Sequence, residues 1–373
     1  MPQPSFYRPT YLEIDTTQIL FNIDKLKETL KRETTVIPVI KADAYGHGAV
    51  EVARVLEEHS LSFFAVATPD EAVELRHAGI QATILVMGAS PHRFLDYAWQ
   101  QAIHVTAHSL EWLKTIPAKV KAHLHIKMDT GMGRLGLRST SEVREAIEFV
   151  NSRPELQIEG VYTHFATADE TENEHFIEQS RLFTEWLDLF PERPKWIHAS
   201  NSAAAIQHPT MHFNAVRFGI SMYGIAPSDW IRETFDFPFR PAMRLVTELV
   251  HVKQVEVGAT VGYGAAYRSE KEEFIGTLPI GYADGFLRGL RHLQILIGEQ
   301  RVPIAGKICM DQTMLILPEA FKVGTKVVLL GSNGNKTIPA EEWAEHLQTI
   351  PYEICCQISK RVPRVYPHSD KKN

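Results

Sequence analysis

One lysine stands where an apolar run gives way to glycines. Residues 35–41 read Thr-Val-Ile-Pro-Val-Ile-Lys, and Gly46 and Gly48 follow shortly after Lys41. Such a run is typical of a parallel strand covered on both faces, and α/β proteins bind ligands at the carboxyl ends of these strands. A partly desolvated lysine amine loses its proton readily and can form a Schiff base with a carbonyl. Lys41 is therefore a candidate for covalent chemistry, with a solvated strand-end lysine as the alternative.

Two more basic groups lie at the end of another strand-like run, residues 120–127, and shortly after it. Lys127 ends this run, and Arg134 stands among the glycines of Asp-Thr-Gly-Met-Gly-Arg. The glycines permit close approach of the backbone to a ligand. The guanidinium of Arg134 offers paired donors to a carboxylate or phenolate oxygen. A solvated arginine in a surface turn is the alternative.

Further candidates lie at or after the ends of three later runs. They are the side chains of His164, Asn201 and Ser202 and the backbone amides of Gly219 and Ile220. The Ser202 hydroxyl and the amides of Gly219 and Ile220 suit a phosphate, which barrel enzymes commonly bind after their last two strands. A plain helix cap at Asn201 is compatible with that use. Within the last run lies Arg217, a side chain that only donates hydrogen bonds and keeps its charge.

Regular alternation of strands and helices positions these groups. Helical periodicity is clear at 49–58, 69–78, 139–151 and 173–189. Eight strand-like runs separate these and other segments, at 35–41, 62–67, 83–87, 103–106, 120–127, 156–163, 195–199 and 214–218. Eight strands that alternate with helices predict a (β/α)8 barrel, a fold that typically needs ~250 residues.

A second domain of mainly β structure follows the barrel. A proline-containing linker at 234–241 precedes it, and alternating runs punctuated by glycine, asparagine and proline begin at residue 243. The run at 243–257 reads as one strand, and one helix is expected at 340–347. The predicted domains are a barrel over residues 1–236 and a β-strand domain over residues 237–373, although residues 1–10 are free to pair with the latter.

Composition narrows the class of protein. The chain has 373 residues, 44% hydrophobic and 23% charged, with a net charge of −6. These values are those of a soluble protein and give no reason to expect nucleic acid or a membrane surface. Three cysteines, two of them adjacent, cannot build a disulfide framework, so a cytoplasmic location is expected.

Three glycine-bracketed motifs in the β domain hold Tyr263, Tyr282 and Met310. Each alone reads as a structural turn. Together with Val-Ile-Lys-Ala-Asp-Ala-Tyr-Gly-His-Gly around Lys41, and with the motifs around Arg134 and Arg217, they resemble the bacterial alanine racemases from about residue 10 to 366. The resemblance implies a pyridoxal 5'-phosphate enzyme of fold type III that acts as a homodimer on L-alanine and D-alanine and supplies D-alanine for peptidoglycan.

The resemblance also implies a role for each site residue. Lys41 and Tyr263 of the partner subunit are the two catalytic bases, on opposite faces of the substrate. The substrate is held by Arg134, Tyr282 and the Met310 amide. The cofactor is held by Lys41, Tyr45, His164, Asn201, Ser202, Arg217, Gly219, Ile220 and Tyr352. Supporting positions are Lys127, which is often carbamylated in the family, and Asp311, Arg288 and Lys307. No metal is expected.

Arg217 carries a mechanistic expectation of its own. Many pyridoxal-phosphate enzymes set a carboxylate against the pyridine nitrogen and hold it protonated. A permanently charged donor at that place keeps the nitrogen unprotonated instead. The ring is then a weaker electron sink, which favours simple return of the proton.

Two alternative functions remain open, and the sequence differs from the family's usual pattern at one site position. A racemase of another small amino acid, serine above all, differs from the alanine enzyme by one oxygen in its substrate. His123 and His125 form an H-x-H pair that also occurs in metal-dependent amidohydrolase barrels. The alanine racemases usually carry arginine where this chain has Lys307, and lysine lacks the paired donors of arginine.

Overall fold

The computed structural model describes residues 6–171 and 173–367. It divides the chain into two compact units. One unit runs from Gln18 to Arg240, and the other combines the residues up to Thr17 with those from Pro241 onward. The chain begins with β1 (Tyr11–Ile14) and α1 (Thr16–Lys27).

Eight parallel strands build the unit from Gln18 to Arg240: β2 (Thr35–Pro38), β3 (Phe63–Val66), β4 (Thr83–Val86), β5 (Ile103–Ala107), β6 (Ala122–Lys127), β7 (Leu156–Tyr162), β8 (Trp196–His198) and β9 (Ala215–Phe218). Strands β3 to β8 pair in chain order, and β2 pairs with β9. Val39 bridges Ala65 on one side, and the Arg217 amide donates to the Ser200 carbonyl on the other. The strands therefore follow one another around a ring, and the predicted (β/α)8 barrel is confirmed.

Helices connect these strands: α2 (Lys41–Tyr45), α3 (Ala49–Glu58), α4 (Pro69–His77), α5 (Leu95–Gln100), α6 (Leu110–Lys114), α7 (Thr140–Asn151), α8 (Glu174–Leu187), α9 (Ser202–Gln207) and α10 (Asp229–Thr234). Side-chain oxygens of Thr68, Ser139 and Asn201 cap α4, α7 and α9 by accepting hydrogen bonds from backbone amides in the first turn. These caps satisfy amides that have no partner within the helix.

Polar side chains are buried in the barrel. His104, His125, Lys127, His198 and Arg217 all lie on its strands and are shielded from solvent. Barrel interiors are usually filled by Val, Ile and Leu. Buried polar groups are costly unless hydrogen-bonded, so this interior must be internally paired.

The second unit is mainly antiparallel β structure, as expected. Its remaining strands are β10 (Met243–Glu248), β11 (His251–Val255), β12 (Thr260–Val261), β13 (Tyr267–Arg268), β14 (Glu273–Leu278), β15 (Gln294–Ile297), β16 (Gln300–Pro303), β17 (Thr313–Leu317), β18 (Lys326–Asn333), β19 (Lys336–Ile338) and β20 (Arg364–Val365). Two helices, α11 (Ala340–Leu347) and α12 (Pro351–Gln357), complete it. The largest sheet has the order β16-β15-β18-β10-β1-β20, with β19 beside β18.

The amino-terminal strand does not belong to the barrel. β1 pairs with β10 on one side and with β20 on the other, so the described residues 6–17 are part of the β unit. This differs from the expected boundaries of 1–236 and 237–373, and the physical reason is strand pairing between residues more than 200 positions apart, which local patterns do not encode. The division after Arg240 lies in a segment without helix or strand.

The run at 243–257 is two strands, not one. β10 pairs with β1 and β18, whereas β11 pairs with β14 in a separate three-stranded sheet. The chain changes partners at Leu249, whose amide donates to the Thr325 carbonyl, and at Val250, whose amide donates to the Thr277 carbonyl. Among the described residues, no helix combines the length and apolar character needed to cross a bilayer.

Candidate active site

Lys41 opens a helical turn of unusual hand. Four consecutive residues, Ala42 to Tyr45, have φ angles of 52° to 55°, which is the left-handed region. For residues other than glycine, this conformation costs about 1–2 kcal/mol each relative to the right-handed helix. Strain of this size persists only where the surroundings over-determine it, and such strain is concentrated at functional sites.

Two carboxylates hold the turn in place. Glu71 in α4 accepts hydrogen bonds from the Ala42 amide at 2.7 Å and from the Ala67 amide at 2.7 Å. The Asp43 carboxylate accepts from the Ala49 amide at 2.8 Å, at the start of α3. These hydrogen bonds tie the left-handed turn to α3 and α4. They therefore fix the position of Lys41 after β2.

A small polar cradle lies next to this turn. The Ser202 hydroxyl accepts a hydrogen bond from the Gly219 amide at 2.9 Å. A Cβ on Gly219 would lie 2.9 Å from the Tyr45 hydroxyl and 3.7 Å from Ser202 Oγ, so only glycine leaves this space open. Ser221, two residues on, has a buried hydroxyl without a hydrogen-bond partner among the described residues.

The composition of this cradle fits a phosphate. Two hydroxyls and backbone amides at one point are donors of the kind that phosphate oxygens accept. Asn201 contributes indirectly, because its side chain caps α9 through the Ala204 amide and donates to the Phe165 carbonyl at 3.2 Å. Ile220 is buried and begins the short 3-10 helix that follows Gly219.

The amine of Lys41 and the cradle share Tyr45. Lys41 Nζ lies 5.8 Å from the centre of the Tyr45 ring, whose hydroxyl is the one that faces Gly219. The Tyr45 ring in turn packs against Tyr223 with centroids 5.1 Å apart. A ligand with an amine-reactive group at one end and a phosphate at the other would reach both Lys41 and the cradle, because both adjoin Tyr45.

Hydrogen bonds hold both terminal nitrogens of the Arg217 guanidinium. Its NH2 group donates to the carbonyls of Thr163 and Ala199 at 2.8 and 2.9 Å, and its NH1 group donates to His198. His164 Nδ1 is 3.3 Å from NH2. Burial lowers the pKa of Arg217 to about 10, so the guanidinium stays charged at neutral pH. Its Nε–H has no partner among the described residues and remains available to a ligand.

His164 is neutral beside this charge. Burial, together with the nearby Arg217, holds the pKa of the His164 imidazole well below its usual range. Because Arg217 can only donate, His164 Nδ1 accepts, and any proton on the neutral ring is on Nε2. Two residues expected to hold the cofactor, His164 and Arg217, are therefore in contact.

Lys127 and Arg134 flank the loop after β6. Burial and the nearby Arg217 lower the pKa of Lys127 to about 7. Its amine donates to the Met128 carbonyl at 2.9 Å and lies 5.2 Å from the centre of the Tyr162 ring. The guanidinium of Arg217 lies 5.3 Å from the same ring, so Tyr162 is a common neighbour of both cations.

The glycine loop that carries Arg134 is closed by Asp129. The Asp129 carboxylate accepts from the amides of Gly131 and Gly133 at 3.2 and 2.9 Å. A Cβ on Gly136 would meet the Lys127 carbonyl at 2.8 Å, which explains a glycine there. Arg134 itself is exposed and available to a ligand.

Gln179 and Tyr162 were not identified from the sequence. Gln179 is fully buried in α8, donates to the His164 carbonyl at 3.0 Å and accepts from the Ala166 amide at 2.9 Å. It therefore fixes the loop that carries His164. A signal exists, since Gln179 shares the buried helix face of Phe176 and Phe183 by its spacing of three and four residues.

In the β unit, three predicted site residues are exposed although they are large and hydrophobic. Tyr263 is 73% exposed, Met310 53% and Tyr282 37%. Tyr263 occupies a short turn between β12 and β13, with positive φ at its neighbours Gly262 and Gly264. Contiguous exposed groups of this kind are typical of interaction sites.

One loop, residues 306–312, joins the two tyrosine turns. The Tyr282 amide donates to the Cys309 carbonyl at 3.0 Å, and the Ala283 amide donates to the Met310 carbonyl at 3.1 Å. At the other end of the loop, Lys307 Nζ lies 3.5 Å from where a Cβ on Gly264 would be. We call Tyr263, Tyr282, Lys307 and Met310 the tyrosine face.

An ion-pair network that sequence reasoning missed supports the tyrosine face. Buried Asp284 pairs with Arg8 at 2.8 Å and lies 3.5 Å from Arg361, which also pairs with Asp311 at 2.8 Å. Arg361 thus ties the turn after Tyr282 to the loop that carries Met310. Of the remaining predicted residues, Arg288 is exposed at the start of a 3-10 helix, and half-buried Tyr352 lies in the first turn of α12.

The metal-dependent hydrolase alternative is not favoured. Both ring nitrogens of His125 are engaged with other histidines at 2.9 Å, and His198 bonds to His125 and Arg217, so neither offers a lone pair to a metal. Among the described residues, the cluster with metal-ligand spacing is His104, His123 and Glu159, which shares only His123 with the H-x-H pair.

Sequence models of two domain families match nearly the whole chain. The alanine racemase N-terminal domain matches residues 14–227, and the alanine racemase C-terminal domain matches residues 242–366.

Individual relatives agree with the domain matches. The chain is 46% identical to alanine racemase of Geobacillus stearothermophilus over 97% of its own length and 94% of the relative's. A crystal structure of alanine racemase from Bacillus anthracis with bound L-Ala-P is 42% identical, with a TM-score of 0.93 over 98% of this chain and 97% of the other. A histidine racemase of Leuconostoc mesenteroides is 28% identical, with a TM-score of 0.90 over 98% and 99%. The shared fold thus hosts racemases of differently sized amino acids.

Proposed function

Because the chain belongs to the alanine racemase family, we propose that it interconverts L-alanine and D-alanine with pyridoxal 5'-phosphate as cofactor. One observation carries the proposal. Tyr45 links a strand-end amine, 5.8 Å from its ring, to a cradle of Ser202 and Gly219 that fits a phosphate.

The residues that would hold the cofactor have distinct tasks. Lys41 would supply the amine that binds the cofactor's aldehyde, and Tyr45, Ser202, Gly219 and Tyr352 would supply donors for its phosphate. When bound, pyridoxal phosphate withdraws electrons from the α-carbon of an attached amino acid and so acidifies its α-hydrogen. Arg217 has a charged Nε–H, which would keep a pyridine nitrogen in contact with it unprotonated and so limit that withdrawal.

Racemisation needs proton transfer on both faces of the α-carbon. One base cannot reach both faces of a bound planar group, so two bases on opposite sides are required. We assign Lys41 to the face of D-alanine and Tyr263 of the partner subunit to the face of L-alanine. The exposure of the tyrosine face supports a homodimer in which this surface is covered by a second copy.

Arg134 and the Met310 amide would bind the substrate carboxylate. Lys127, with its pKa of about 7, would be carbamylated and brace Arg134 with the resulting negative charge. The substrate preference is proposed as alanine over serine. The proposed setting is the bacterial cytoplasm, where D-alanine is supplied for peptidoglycan.

Two measurements test the proposal. Borohydride treatment of the yellow holoenzyme is expected to fix the cofactor on Lys41, as mapped by peptide mass spectrometry, and Lys41→Ala is the control. With untreated enzyme, circular dichroism should show that L-alanine loses its optical activity much faster than L-serine at equal concentration. A label on another lysine would contradict the site, and faster turnover of serine would contradict the substrate.

A further inference from the structure

Three histidines form a continuous hydrogen-bond chain inside the barrel. His198 on β8 lies 2.9 Å from His125 on β6, and His125 lies 2.9 Å from His104 on β5, nitrogen to nitrogen. The first of these contacts crosses over β7. It is possible because β7 has Gly160 there, where a Cβ would stand 2.4 Å from His125 Nδ1. The chain therefore requires a glycine on the intervening strand.

Arg217 sets the direction of every hydrogen bond in the chain. Its NH1 group lies 3.0 Å from His198 Nδ1 and can only donate, so this nitrogen accepts and the His198 proton is on Nε2. That proton is donated to His125 Nδ1, which places the His125 proton on Nε2. His125 in turn donates to His104 Nδ1. One donor-only group thus fixes the tautomers of three rings.

None of the three rings can take up a second proton without losing a hydrogen bond of the chain. An imidazolium donates from both nitrogens, so it would set two N–H groups against each other in one of these contacts. Burial lowers the pKa of His104 to about 3 and holds those of His125 and His198 well below their usual range. The rings are therefore neutral at physiological pH, and the order of donors is maintained.

We propose that this chain orients the guanidinium of Arg217, and that His125, which lies outside the candidate site, is a positioning residue for the racemisation proposed above. His125 supplies the acceptor that holds the His198 proton on Nε2. Without that acceptor, His198 can carry its proton on Nδ1, where it opposes the Arg217 N–H. The guanidinium then loses one of its hydrogen bonds, and only its contacts with the backbone carbonyls of Thr163, His198 and Ala199 direct its Nε–H. The expected change in kcat rests on the proposed racemase function, whereas the expected histidine tautomers do not.

A matched pair of variants isolates the acceptor. Asn and Leu have nearly the same shape, and both leave a similar space where the His125 ring was. Only His125→Asn retains an oxygen near the Nδ1 position that can accept from His198. Loss of volume and loss of the bond to His104 are common to both variants, so a difference between them reports the acceptor alone.

The first readout is the tautomer of His198, from ¹⁵N ring shifts of histidine-labelled holoenzyme. We expect Nε2–H in the wild type and in His125→Asn, and appearance of the Nδ1–H form in His125→Leu. Nδ1–H in the wild type would overturn the chain. This readout does not depend on turnover, so it is distinct from failure of the racemase activity itself.

The second readout is alanine racemisation by the same proteins. A hydrogen bond to a charged group is worth about 1.5–3 kcal/mol, so we expect kcat to fall at least about ten-fold in His125→Leu with little change in KM. His125→Asn should retain most of its kcat. Equal losses in both variants would reduce His125 to a packing role and overturn the proposal.

Discussion

Ser202 Oγ accepts a hydrogen bond from the Gly219 amide at 2.9 Å, and the Tyr45 hydroxyl stands 2.9 Å from where a Gly219 side chain would begin. The cradle therefore depends on a glycine, because the Cβ of any other residue would crowd the Tyr45 hydroxyl.

Gly219→Ala should therefore weaken pyridoxal-phosphate binding. A methyl group displaces the Tyr45 hydroxyl from the phosphate position, and loss of one or two hydrogen bonds to a charged group predicts a rise in Kd of about ten- to a hundred-fold. Cofactor titration by fluorescence measures this. Gly79→Ala is the control: its site is open but its φ is 88°, so it should lower stability and leave cofactor affinity unchanged.

Lys127 should carry a carbamate at neutral pH. Its pKa of about 7 leaves much of the amine neutral, and only the neutral amine attacks carbon dioxide, releasing one proton as the carbamate forms. ¹³C NMR with labelled bicarbonate should show a carbamate signal that declines as the pH falls from 8 to 6. Lys127→Ala should lack the signal. Lys121→Ala, which removes an exposed lysine, should retain it.

Tyr263→Phe should separate the two faces of the substrate. Without the phenol, exchange of the α-hydrogen of L-alanine with deuterated solvent should fall by orders of magnitude, while exchange of D-alanine through Lys41 continues. Net racemisation must fall equally in both directions, because the equilibrium constant fixes their ratio. Tyr267→Phe, which loses a hydrogen bond to Glu273, is the control and should exchange both isomers. Equal loss of both exchanges in Tyr263→Phe would contradict the assignment of bases.

Mixing two inactive variants should restore activity if the site is shared between subunits. A dimer of one Lys41→Ala chain and one Tyr263→Phe chain contains one site with both bases, provided that the tyrosine comes from the partner. Random reassortment predicts about a quarter of wild-type activity, since half the dimers are mixed and each has one intact site. If both bases came from the same chain, the mixture would stay inactive.

The histidine chain should make the protein less stable in mild acid. The unfolded chain protonates His104 near pH 6.5, whereas the folded protein does so near 3, so stability is complete above pH 6.5 and declines as the pH falls toward 3. Each such histidine contributes about 1.4 kcal/mol per pH unit below 6.5. Urea unfolding at pH 7.5 and 5.5 measures the decline, which should be smaller in His104→Gln. The exposed-site variant His251→Gln should match the wild type.

The sequence alone determined the barrel, the succession of its elements and the positions of the groups that end its strands. The helices expected at 49–58 and 340–347 have those bounds in the structure. Lys41, Lys127 and Arg217 were found because strand ends follow from short-range patterns of apolar residues and glycines. These signals are local, and the side chains within a few residues of one another suffice to produce them.

Only the tertiary structure decided what those groups touch. The left-handed turn after Lys41 depends on Glu71 from another helix, and β1 joins the β unit through pairing with β10 and β20. The direction of hydrogen bonding from Arg217 to His104 depends on side chains of four strands that meet in the barrel interior. Such contacts join residues far apart in the chain, and their geometry exists only once the strands have closed into a ring.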